Sequence, residues 1–181
     1  MPGVLIGGSM NLILIGNIVS LAGSALMVGV GFLKTRKSIL ITQCAMFTLM
    51  GAANIILGGI TGAISSLVSI LRNMFSLKGP LSVHVKLFII ALQILLSANL
   101  NTLGWIGWLP IISACFYTWM IDVKDETRLK VVLIIAQSMW LIYDITIQNY
   151  VAFTFDVLTI LSNMYGILSL RESRKVRHSA A

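Results

Sequence analysis

Charged residues fall in clusters along this chain, and between them lie four long stretches free of Lys, Arg and Glu: residues 1–33, 38–71, 87–121 and 131–170. Only the last contains acidic groups, Asp144 and Asp156. A membrane crossing takes about 20 residues at ~1.5 Å each. The first stretch therefore fits one crossing and each of the others fits two, which predicts seven helices. Each double stretch carries reversal residues near its middle: Gly58-Gly59-Ile60-Thr61-Gly62, then Asn99-Leu100-Asn101-Thr102, then Gln148-Asn149-Tyr150. Gly and Asn suit tight turns. The predicted helices run over about 11–33, 38–57, 60–77, 83–100, 103–122, 129–148 and 150–170.

Composition sharpens this picture. Hydrophobic residues make up 57% of the 181 residues and charged ones 10%, with mean hydropathy +0.95. Soluble domains carry roughly 25% charged residues, so a soluble globular protein is excluded. In lipid the backbone can be satisfied only within helices or a closed barrel. Barrel strands alternate apolar and polar residues, and these unbroken apolar runs do not. The fold class is an all-α membrane protein.

The 13 Lys and Arg against 6 Asp and Glu give a net charge of +7. With two crossings per double stretch, the clusters Lys34/Arg36/Lys37, Arg72/Lys78/Lys86, Lys124/Arg128/Lys130 and Arg171/Arg174/Lys175/Arg177 all return to one face. By the positive-inside rule that face is cytoplasmic, with the N-terminus outside and the C-terminus inside. Topology thus accounts for the positive charge and argues against nucleic acid as a partner. The opening Met-Pro-Gly has no basic residue before the first apolar stretch, which argues against a cleaved signal peptide.

A repeat of about 90 residues underlies the pattern. Ile70-Leu71-Arg72-Asn73-Met74-Phe75 recurs as Ile160-Leu161-Ser162-Asn163-Met164-Tyr165, and the same offset pairs Asn11 with Asn101, Lys34 with Lys124 and Asn54 with Asp144. Three crossings invert the chain, so a single linker helix must restore the starting side before a second unit begins. The expected organisation is three plus one plus three: a first repeat over 1–80, a linker helix over 81–101, a second repeat over 102–170 and a basic tail over 171–181. Parallel repeats about an axis along the membrane normal are a transporter plan.

The layout resembles the SWEET, PQ-loop and nicotinamide-riboside carrier superfamily. Within it, the stretch Gly51-Ala52-Ala53-Asn54-Ile55-Ile56-Leu57-Gly58-Gly59-Ile60-Thr61-Gly62-Ala63-Ile64-Ser65-Ser66-Leu67, running on into Ile70-Leu71-Arg72-Asn73, is most similar to YgjV-type bacterial inner-membrane proteins. The resemblance implies a multi-pass inner-membrane protein. It also implies an asparagine on the third helix of each unit facing a central cavity, matched by Asn73 and Asn163, and a hinge proline in the first helix of each unit. Pro110 matches that hinge in the second unit; the first has Ser20 near the corresponding place.

Other polar residues in the spans are candidates on their own chemistry, since ionisable groups there usually face a cavity or a partner. Asp144 and Asp156 flank the last turn, where two close carboxylates would exchange a proton; interfacial water is the alternative setting. Arg72 either snorkels its head to the lipid surface or faces a cavity and holds an anionic group. Asn73 and Asn163 either hold helices together or line the cavity, and Asn54 and Gln137 are weaker candidates of that kind. Trp105 and Trp108 share a face at helical spacing, forming an aromatic belt or a surface for a flat ring, which the Trp-x-x-Trp pattern of nicotinamide-riboside carriers would imply. Trp140 and Tyr143 would complete that surface.

Cys44, Cys115, His84 and His178 have no metal-ligand spacing, and no phosphate loop or nucleophile motif occurs. No metal, cofactor or enzymatic activity is expected. The expectation is a small-solute carrier, facilitative or proton-linked. The lipid bilayer and a small polar solute are its partners, and a homo-oligomer is left open. The alternative is a non-transporting structural or accessory membrane protein.

Overall fold

Glycine, asparagine and short capping side chains end the helices, and the breaks fall close to the turn signals. The computed structural model describes residues 10–30, 36–121 and 125–179. Seven helices form among the described residues: α1 Met10–Val30, α2 Arg36–Ile56, α3 Ile60–Ser76, α4 Val83–Leu100, α5 Trp108–Met120, α6 Glu126–Thr146 and α7 Tyr150–Ser179. By length and composition α1, α2, α4 and α7 are apolar enough to cross a membrane, and α5 is apolar but thirteen residues long. Residues 31–33 of the predicted first helix, and Lys34 and Lys124 of the basic clusters, lie outside the described residues.

Two boundaries depart from the sequence expectation. Helix α5 begins at Trp108 rather than 103, because the Asn101 side chain builds a turn first. Its Oδ1 accepts from Leu103 N–H at 3.0 Å, its Nδ2 donates to Gly104 O at 2.7 Å, and Gly104 takes φ +59°, a left-handed conformation that suits glycine. Helix α7 runs on through the basic segment to Ser179. Charge ends the lipid-compatible stretch there, but no Gly or Pro comes after Gly166 to end the helix, and cations suit a helix C-terminus.

Each helix packs against its sequence neighbours; in addition α3 touches α5, and α1 touches α7. These contacts close a ring in the order α1, α2, α3, α5, α6, α7. Helix α4 lies outside it on the α3–α5 joint and buries a single stripe, Ile89, Gln93 and Ser97. The joint combines an apolar cluster of Val68, Leu81 and Ile89 with a polar tie, Gln93 Nε2 donating to Ser65 Oγ at 2.7 Å. On α1 the small residues turn toward α2: a Cβ at Gly16 would meet Leu57, and one at Gly23 would meet Met50. The opposite face, with Leu14, Ile15, Ile18 and Leu21, is exposed.

The turns ending α2 and α6 repeat bond for bond at an offset of 90. Gly59 N–H donates to Asn54 O at 2.7 Å and Gly58 N–H to Ile55 O at 3.1 Å; Asn149 N–H donates to Asp144 O at 2.9 Å and Gln148 N–H to Ile145 O at 3.3 Å. Both are Schellman caps, with Gly58 at φ +78° and Gln148 at φ +62°.

The helices after these turns start differently. A first helical turn has N–H groups without intrahelical partners. In α7 Asn149 Oδ1 accepts from Ala152 N–H at 3.2 Å, and Asn17 of α1 accepts from Val151 N–H at 3.0 Å. At the position equivalent to Asn149, Gly59 has no side chain to cap α3, so Gly62 N–H donates at 2.9 Å to the hydroxyl of Tyr143, reaching across from α6. The start of α1 and both Schellman turns therefore share one end of the bundle. Lys37, Lys78, Lys86, Arg128 and Lys130 fall toward the other.

Tyr143→Phe would leave the buried Gly62 N–H without an acceptor. It is expected to lower the thermal unfolding midpoint in detergent, at a cost of about 1–3 kcal/mol. Gly62→Ala places a methyl group 2.7 Å from Tyr143 Cε1 and 2.8 Å from Asn54 Oδ1; overpacking of that kind costs about 1–3 kcal/mol, read in the same melting assay.

Candidate functional site

Two groups of buried polar side chains lie inside the helix ring. The first is built where α6 and α7 run antiparallel from their turn. Gln137 and Asp144 stand seven residues apart on one face of α6, and Asp156 of α7 packs against both. Gln137 Nε2 donates to Asp156 Oδ1, and the carboxyl groups of Asp144 and Asp156 are neighbours. Both are buried, at 2% and 4% exposure. Asp144 Oδ1 and Asp156 Oδ2 have no donor.

Asn54, the repeat counterpart of Asp144, is also buried. Its Nδ2 donates to Met50 O at 2.9 Å and its Oδ1 is without a donor, packed against Gly59 and Gly62. Tyr143 stands between the two halves: its hydroxyl bonds α3, and its ring meets Trp140 edge-on at 5.7 Å.

The second group surrounds Arg72, four residues before α3 ends. Its head does not snorkel outward, as one reading of the sequence has it, but turns into the bundle with 3% exposure. The guanidinium lies over the Tyr117 ring at 4.9 Å and the Phe47 ring at 5.8 Å. Its Nε and Nη2 both donate to Asn73 Oδ1 at 3.2 Å, and Asn73 Nδ2 donates to Gln43 Oε1 at 3.1 Å. Aromatic faces and an amide chain hold the cation in place, because a guanidinium is attracted to ring faces and has no acceptor of its own.

The remaining predicted residues lie apart from these groups. Helices α3 and α7 are opposite each other in the ring and do not touch. Asn73 is fully buried, whereas Asn163 is half-buried and donates to Thr159 O of its own helix at 2.8 Å. Trp105 sits on the turn before α5, 69% exposed, and Trp108 opens the helix, so they do not share a helical face. Trp108 N–H donates to Trp105 O at 3.1 Å instead. Pro110 is the third residue of α5 rather than lying well inside it. There its missing N–H removes no helical bond, so it starts the helix without bending it. The crevice between α3, α4 and α5, lined by residues including Ser69, Gln93 and Thr118, is too narrow for a water molecule. Among the described residues no cluster of His, Cys, Asp or Glu could hold a metal.

Gln43, Phe47 and Tyr117 belong to the Arg72 group and Asn17 to the cap of α7, and none was legible as such. Phe47 and Tyr117 read as ordinary lipid-compatible residues. Gln43 and Asn17 are the ones a search for lone amides inside apolar runs would find.

No curated protein and no solved structure matches the chain. A family match does exist, and it covers residues 14–174, from the first turns of α1 to the basic end of α7. With an all-helical ring, an apolar outer surface and polar groups turned inward, the chain belongs to the Imp-YgjV family of bacterial inner membrane proteins.

Proposed function

We propose that this inner-membrane protein carries a small polar solute by alternating access, with a proton as the coupling ion. The chain would cross the membrane seven times, N-terminus outside and C-terminus inside. Two SWEET-like three-helix units, residues 1–80 and 102–170, would be joined by the linker helix of 81–101, and the basic tail of 171–181 would lie against the cytoplasmic lipid surface.

The observation that carries this reading is that folding leaves buried acceptors without partners, among them Asp144 Oδ1, Asp156 Oδ2 and Asn54 Oδ1. A bundle meant only to be stable does better with apolar side chains there. A carrier needs spare donors and acceptors for a solute and a proton. The ring supports the two-unit plan, because exchanging α1 with α5, α2 with α6 and α3 with α7 maps its neighbours onto themselves. The repeated Schellman turns support it as well. In this reading Asn73 and Asn163 orient the solute from opposite helices, Asp144 and Asp156 carry the proton, and neither a hinge at Pro110 nor stacking on Trp105 and Trp108 is required.

A second reading, a non-transporting accessory protein, is favoured by the self-contained bond of Asn163 and by the closed crevice beside α4.

Tags at Met1 and Ala181 should report opposite compartments; a shared compartment removes the seven-crossing plan. In proteoliposomes, acid-driven uptake from a panel of sugars, nucleosides, amino acids and vitamins is expected for the wild type. Asp156→Asn should uncouple it from the proton gradient, and Asn73→Ala should slow it about tenfold, the loss of ~1.4 kcal/mol. A wild type no faster than empty vesicles across the panel favours the accessory role.

A further inference from the structure

The guanidinium of Arg72 is a buried cation with no carboxylate beside it among the described residues. Its Cζ lies over the Tyr117 and Phe47 rings, and its side edge, Nε with Nη2, is taken by Asn73 Oδ1. The end edge, formed by Nη1 and Nη2, has no acceptor among the described residues. That edge is the planar two-donor fork that matches two oxygens on one carbon. Burying a charge without a counter-charge is costly. The remedy is an anion that arrives from outside and seats on the open edge.

We infer that Arg72, held by Asn73, Gln43, Tyr117 and Phe47, is the recognition site for a small monocarboxylate. Charge and fork geometry together select the class. One guanidinium neutralises one negative charge, whereas a doubly charged phosphate would leave the site net negative inside the membrane. Specificity falls on the carboxylate itself and on the Gln43–Asn73 amide chain that fixes the angle of the fork. The inference deepens the carrier reading and rests on it for the movement of the ligand, though binding alone does not depend on transport.

The test is calorimetric titration of the purified full-length chain in lipid nanodiscs with acetate and benzoate, and with inorganic phosphate and chloride as comparison anions. Saturable binding of a carboxylate at one site per chain is expected. Arg72→Lys, which keeps the charge and removes the fork, should weaken it at least about tenfold, and Lys78→Gln, on the exposed connection after α3, should leave it unchanged. Should Arg72→Lys fail to fold, Asn73→Asp serves instead: an internal carboxylate on the side edge neutralises the cation and should suppress binding. No carboxylate binding by the wild type, binding of phosphate or chloride only, or affinity unaltered by both variants overturns the inference. Carboxylate binding lost in the variants but without uptake in vesicles keeps the site and removes the carrier reading. Uptake of a neutral solute at the wild-type rate by Arg72→Lys keeps the carrier and removes the site.

Discussion

A hydrocarbon surround offers no hydrogen bonds, and this constraint orders the whole molecule. Polar groups that water would satisfy on a soluble protein must find partners inside the bundle. Accordingly, polar and charged side chains outnumber hydrophobic ones among the buried described residues, while Leu, Ile, Met and aromatic residues populate the outer faces of α1, α4 and α7. Directed bonds cross the interior, such as Gln93 to Ser65, Ser113 to Ala136 O and Gln137 to Asp156.

Those bonds also differentiate two units that share a backbone plan. The same Schellman turn closes α2 and α6, but the helix starts beyond it diverge by one side chain. Asn149 caps its own helix. Gly59 cannot, and the vacancy draws the Tyr143 hydroxyl across from α6. The glycines at 59 and 62 make room for that ring and for Asn54, since a Cβ at either would collide with both. A pseudo-symmetric ring thereby acquires a specific tie between its halves.

The two polar groups are separated along the bundle. The carboxyl pair lies near the Schellman turns, and Arg72 lies toward the end that gathers the described lysines. Acid and base are thus kept apart, and neither neutralises the other. Each keeps spare hydrogen-bonding capacity, a feature that costs stability and that the proposed transport role would use.

Helix number, the positions of the α2–α3 and α6–α7 turns, and the clustering of charge come from local sequence, because a membrane core imposes a fixed apolar length and Gly or Asn sets the reversals. Membership of an inner-membrane family was likewise legible in the second-to-third helix stretch. Where local chemistry competes with hydropathy, the sequence misleads. Asn101 folds a turn inside an apolar run and moves the start of α5 past Trp105, and no breaker stops α7 at Arg171. The orientation of Arg72 was undecidable from spacing, since a guanidinium four residues from a helix end can reach either lipid headgroups or the bundle interior. The rings of Phe47 from α2 and Tyr117 from α5, with the Asn73–Gln43 amide chain, hold it inward. The sequence by itself determined where apolar stretches begin and end, a property of consecutive residues. Tertiary structure alone decided which polar atoms meet and which are left over, because those contacts join residues up to 134 positions apart.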